Sequence, residues 1–151
     1  DFIGDIVRER GEKLADDLKK LGFVEFLELD VGDENNWEKV MNQIIKSKGR
    51  LDILVNNAGV STWETRKPVL ETTLDAWEFS MRVNSTGVFL GTKSALSVMK
   101  NQKSGSIVNI SSIAGRHRPY PEWGGRRSPA VSLPSAAPRS PGRGPSPDPS
   151  R

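Results

Sequence analysis

The chain has 151 residues, with 22 basic and 19 acidic side chains, one histidine and no cysteine. That length holds one domain rather than two, and the lack of cysteine excludes a disulfide scaffold, a zinc–thiolate site, an iron–sulfur cluster and a thiol nucleophile. His117 alone leaves little for a histidine metal site or a Ser–His–Asp triad, so no metal is expected, and no apolar run approaches the roughly 20 residues of a membrane span.

Phe2–Asp5 reads as the end of a strand. The sequence opens on Asp1 with an apolar step directly behind it and no signal peptide, so a preceding segment is expected. Arg8–Leu21 reads as a helix, with Leu14, Leu18 and Leu21 on one face and Gly22 as the stop. Val24–Asp30 is the next strand. Glu34–Lys48 is a second helix: Trp37, Val40, Met41, Ile44 and Ile45 fall on one stripe, and Gly49 closes it. Leu51–Val55 is short and nearly all apolar, as in a central parallel strand covered on both faces. A long helix is expected over Leu74–Lys100 and a last strand over Ser106–Ile110. The alternation predicts an α/β fold, a Rossmann-like doubly wound parallel sheet with strands 51–55 and 106–111 as parallel neighbours.

Composition changes sharply near Gly115. Residues 116–151 hold nine of the ten prolines, seven arginines and six serines, with Glu122 and Asp148 as their only acids. Such a segment buries too little apolar surface to offset its ordering entropy. The expected organisation is therefore a partial Rossmann-like domain over 1–115 and a disordered Pro/Arg/Ser-rich tail over 116–151. The tail lacks the aromatic interleaving of a stacking surface, so nucleic acid is not an expected partner. Its composition fits a GC-rich stretch read in another frame; an unbroken reading frame across codons 110–120 would exclude that.

In open parallel sheets ligands sit beyond the carboxyl ends of the strands. Asp5 ends the first strand; its carboxylate can accept from ribose hydroxyls, or serve the first turn of the next helix. Asp30 and Val31 follow the second strand, where Asp30 can accept from an adenine amino group or cap a helix. Asn56, Ala58 and Gly59 follow the third; small residues there allow close backbone approach to a ligand, or simply make a turn. Asn84 interrupts the long helix on its Leu74–Trp77–Met81–Val88 side, at a cost in propensity that implies a specific bond. Ser112 ends the last strand, where a hydroxyl can hold a substrate carbonyl or cap the next element.

The succession Leu29-Asp30-Val31, then Gly49–Gly59 with its Asn56-Asn57-Ala58-Gly59 end, then Val83–Phe89, then Gly105–Gly115 resembles the short-chain dehydrogenase/reductase family. The resemblance runs to Gly115. It implies an NAD-dependent oxidoreductase that moves hydride between nicotinamide and a secondary alcohol or ketone. By that resemblance Ser112 and Asn84 are catalytic, Asp5 selects NAD over NADP, Asp30 and Val31 meet the adenine ring, and Asn56, Ala58 and Gly59 line the adenosine side. A cytoplasmic protein with a small-molecule substrate and no membrane partner is implied. The intact family is homo-oligomeric through the long helix and the helix carrying its Tyr-x-x-x-Lys.

Two family features are not found. There is no Thr-Gly-x-x-x-Gly-x-Gly turn, which brings a pyrophosphate to a helix N-terminus. The only tyrosine, Tyr120, has Gly124 four residues on, and no lysine follows Lys103. The tyrosine of that motif moves the proton at the carbonyl oxygen, and the lysine lowers its pKa. Tyr120 is therefore not taken as the acid–base residue. The alternative reading is a catalytically inactive Rossmann-like remnant or binding module, and a third is an interaction protein acting through its basic tail.

Overall fold

A computed structural model describes residues 1–61 and 68–112. In chain order the elements are β1 (Phe2–Asp5), α1 (Arg8–Leu18), a 3₁₀ turn (Lys19–Leu21), β2 (Glu25–Glu28), α2 (Glu34–Lys48) and β3 (Ile53–Asn56). They continue with α3 (Leu74–Met81), a π-helical segment (Arg82–Thr86), α4 (Gly87–Gln102) and β4 (Ser106–Asn109). The expected tail 116–151, with His117 and Tyr120, and the expected boundary at 115 lie outside the described residues.

All strand pairs are parallel, as the alternation predicts. β1 pairs with β2, with Asp5 opposite Glu28. β3 pairs with β4, with Asn56 opposite Asn109. The strands form two two-stranded ribbons, β1–β2 and β3–β4, rather than one continuous sheet, because no described strand bridges them. The end of α4 fixes the second ribbon: Leu51 N–H donates to Gln102 Oε1 (2.9 Å), and Gln102 Nε2 donates to Leu51 O (2.8 Å).

α2 folds over the predicted span, with the predicted apolar stripe and the predicted stop at Gly49. The Asp33 carboxylate accepts from the Asn35 and Asn36 N–H groups at its start, and Gly49 ends it in the left-handed region at φ 73°. Trp37, Val40, Met41 and Ile44 are buried on its inner stripe with Leu27, Leu29 and Leu90, while Ile45, Leu51, Leu54 and Val98 pack around them. This cluster joins the two ribbons.

The other helices depart from expectation. α1 ends at Leu18 and tightens into a 3₁₀ turn. Its buried residues are Gly11 and Ala15, whereas Leu14 is 48% and Leu21 78% exposed. The cause is close packing: a Cβ on Gly11 would run into the Phe26 ring, so a small-residue stripe faces β2 instead of the leucines. Phe26 thus meets α1 while Leu27, on the opposite face of the strand, meets α2.

The single helix expected over Leu74–Lys100 is broken at Arg82–Thr86, where the Gly87 N–H bonds to Arg82 O in the wider π pattern. Leu74 and Trp77, on the side assigned to Asn84, are exposed. β3 is covered on one face only: Leu54 packs on the core, but Ile53 and Val55 are 62% and 53% exposed, since no described element lies over them. Among the described residues, no helix is long and apolar enough to cross a membrane.

Candidate functional site

The carboxyl ends of the strands carry the polar residues. At the end of β1, Asp5 Oδ1 accepts the Val7 N–H at 2.7 Å, fixing the turn into α1. The other carboxylate oxygen has no partner among the described residues. Asp5 O accepts from the Leu29 N–H (3.0 Å), which sets Asp5 beside the turn after β2.

That turn is densely held. Asp30 N–H donates to Asn36 Oδ1 (2.6 Å), and Asp30 Oδ1 accepts from the Gly32 N–H (2.9 Å). Asp30 Oδ2 accepts from Arg82 Nη1 at 2.8 Å. Burial alone would raise the Asp30 pKa, but the Arg82 hydrogen bond, the Gly32 N–H and the Arg82 charge outweigh it and hold the carboxyl below its ordinary value. Val31 O accepts from Trp37 Nε1 at 2.9 Å.

At the end of β3, Asn56 is the buried polar side chain of the core, 8% exposed. Its Nδ2 donates to Asn109 Oδ1 across the ribbon (2.8 Å) and reaches Thr92 Oγ1 on α4 at 3.4 Å. Ala58 and Gly59 are exposed in the following turn. Asn84, in the π segment, binds that turn with both ends of its amide: Oδ1 accepts from the Val60 N–H (2.8 Å), and Nδ2 donates to Val60 O (2.9 Å). Nδ2 also lies 3.3 Å from Ser80 Oγ. This is the specific bond that the cost of a mid-helix asparagine implies.

The structure therefore gathers the expected residues into two groups. Asp5, Asp30 and Val31 share the β1–β2 edge. Asn56, Gly59 and Asn84 share the β3 edge. Ser112 lies exposed beyond the end of β4, on the same carboxyl side as Asn56 and Asn109. Sequence reasoning missed Arg82 and Asn109. Asn109 had a signal, an asparagine at a strand end opposite another, but only the register reveals it. Arg82 had none, since its partner is 52 residues away. Among the described residues, no group of three His, Cys, Asp or Glu side chains is placed to hold a metal ion.

Comparison with known proteins bears on the same stretch. The chain is 37% identical over 115 residues to a cyclopentanol dehydrogenase of Comamonas sp. (strain NCIMB 9872), covering 76% of this chain and 45% of that protein. It is 37% identical over 112 residues to a 3-alpha-(or 20-beta)-hydroxysteroid dehydrogenase of Mycobacterium bovis (strain ATCC BAA-935 / AF2122/97), covering 74% and 41%. It is 37% identical over 106 residues to an NADP-dependent (R)-specific alcohol dehydrogenase of Lentilactobacillus kefiri, covering 70% and 41%. The chain thus matches less than half the length of each of these relatives. A sequence model of the short chain dehydrogenases matches residues 2–125, running past Gly115, where the resemblance was expected to stop. With parallel strands, polar strand ends and this match across most of its length, the chain belongs to the short chain dehydrogenase family.

Proposed function

We propose that the chain forms the adenosine-binding part of an NAD-dependent oxidoreductase that exchanges hydride with a secondary alcohol or ketone. The observation that carries this reading is the Asp5 carboxylate, which ends β1 with one oxygen on the Val7 N–H and the other without a partner among the described residues. An acceptor there suits a ribose hydroxyl and repels a 2′-phosphate, which favours NAD over NADP. The Lentilactobacillus relative is named as NADP-dependent, so the preference rests on Asp5 and not on the family.

The residues present fit the adenosine half of such a cofactor. Asp30 has both oxygens engaged, yet a carboxylate offers about four lone-pair sites, so an adenine amino group can share it. Ala58 and Gly59 are small and exposed beside the β3 end, where a ligand can approach the backbone.

In the complete reaction the bound nicotinamide supplies the hydride acceptor. The chain's own residues hold the substrate and the backbone around it. Ser112 holds the substrate oxygen by its hydroxyl, and Asn84 holds the Gly59–Val60 backbone through its amide. A proton must also move at that oxygen, and the sequence has no Tyr-x-x-x-Lys to move it. This favours a second reading for the 151-residue polypeptide itself: a nucleotide-binding module without measurable turnover. A cytoplasmic location goes with either reading. Assembly of the kind seen in the family would use the α3–α4 stretch, where Trp77, Phe89 and Leu96 are exposed.

Calorimetric titration tests this directly. Saturable heat with NAD and ADP, weaker heat with NADP, and loss of that difference in Asp5→Ala are expected. A panel of secondary alcohols followed by nicotinamide absorbance separates the readings: turnover would discard the binding module, and no nucleotide binding at all would discard both.

A further inference from the structure

The two groups of site residues are joined through Arg82, a residue that belongs to neither. Arg82 opens the π segment and reaches back to the turn after β2, pairing with Asp30 Oδ2 at 2.8 Å. Its guanidinium carbon lies 5.9 Å from the centre of the Phe79 ring. A Cβ on Gly32 would lie 2.5 Å from Arg82 Nη1 and 2.7 Å from its Cγ, so the arginine stem lies directly against the turn. Farther along, a Cβ on Gly87 would lie 2.8 Å from Val31 Cγ2 and 3.3 Å from Val31 O. The turn is therefore gripped at Asp30–Gly32 by Arg82 and at Val31 by the backbone that starts α4.

Between the two grips stands Asn84, bonded to both backbone groups of Val60. Residues two apart on a helix do not face each other. One short segment thus sends Arg82 to the turn after β2 and Asn84 to the turn after β3. The ion pair is partly exposed, with side chains 42% and 28% accessible, so as an isolated attraction it contributes little. Its weight is geometric.

We propose that Arg82 is a positioning residue, whose pair with Asp30 locks the adenosine-side turn to the segment that aims Asn84 at Gly59–Val60. Its functional weight rests on the nucleotide reading above. It makes the two ends of the candidate site one mechanical unit, so that a ligand ordering the Asp30 turn also orders the Asn84 clamp. Lysine at position 82 would keep the charge without the planar fork.

The test uses the full 151-residue chain, labelled with ¹⁵N. Hydrogen exchange is followed at the Val60 amide and shifts at the Asn84 side-chain amide, both outside the ion pair. Arg82→Met and Asp30→Asn should each speed Val60 exchange about fivefold, and the double variant should add nothing further. Arg82→Lys should restore part of the protection. Unchanged Val60 and Asn84 signals in a folded Arg82→Met protein would overturn the proposal, as would additive effects in the double variant. Should Arg82→Met fail to fold, the near-isosteric Asp30→Asn decides on the same signals. An ADP titration runs beside it: about fivefold weaker binding in Arg82→Met supports the coupling. Absence of ADP binding by the unmodified chain overturns the nucleotide reading, while the exchange data still decide the lock.

Discussion

The β1–β2 and β3–β4 ribbons have the same parallel pairing, yet they are buried differently. In β2, Phe26 meets α1 on one face and Leu27 meets α2 on the other, where it is 5% exposed. In β3, Leu54 packs on the core while Ile53 and Val55 on the opposite face stay more than half exposed. Apolar residues on both faces of a strand record what the strand can bury. What it does bury depends on the chain laid over it.

The comparison can be broken at its strongest point first. Trp37, 4% exposed, fills the cluster that joins the ribbons and donates to Val31 O. Trp37→Ala should cost about 3–5 kcal/mol. Ile53→Ala should cost less than about 1 kcal/mol by urea unfolding. Equal losses would mean that the two ribbons are equally buried in solution. Gly11→Ala comes next. Alanine favours a helix interior by about 1 kcal/mol, but the added methyl meets the Phe26 ring. A net loss of about 1–3 kcal/mol in chemical unfolding is expected; a gain would show that α1 does not sit tightly on β2.

A smaller effect should appear in acid. The Asp30 carboxyl is held below its ordinary value in the folded chain. Its contribution is therefore complete above the unfolded aspartate pKa of about 3.9 and is lost as pH falls through the lower folded value. Unfolding free energy measured from neutral pH downward should fall less steeply in Asp30→Asn. A matching slope would place Asp30 outside the ion pair. The smallest effect is expected on the open face of β3. Val55→Thr should change stability by no more than about 0.5 kcal/mol, while light scattering at high concentration should drop because an exposed apolar strip has been interrupted.

The alternation of strands and helices was legible because apolar spacing reports it locally. α2 is the clearest case, where five apolar residues at helical spacing and Gly49 after them point one way. The buried face of α1 was not legible. Periodicity favours the largest apolar residues, Leu14 and Leu21, whereas the helix docks through Gly11 and Ala15. The break in the long helix was half legible: Asn84 is a poor helix former, but its partner at Val60 lies 24 residues away. Arg82 was not legible at all, because nothing near an arginine on a helix announces an aspartate on a distant turn. The strand-end residues Asp5, Asp30 and Asn56 were legible as polar groups after apolar strands. Their hydrogen bonds were not, since these depend on register.

The π segment also sets the phase of everything after it. Its wider turn, closed between Arg82 O and the Gly87 N–H, holds one residue more than an α-helical path between the same points. One residue is about 100° of rotation about a helix axis. The segment therefore works as a phase shifter between α3, which buries no residue, and α4, whose Gly87, Leu90, Gly91, Ala95 and Met99 turn inward. Deleting a single residue at 85 or 86 would turn that bond into an ordinary α-helical one between the same points, straightening the helix and leaving the inward row of α4 in place. Cooperative unfolding retained in such a deletion, but lost when one residue is deleted within the regular α4 helix instead, is the expected sign.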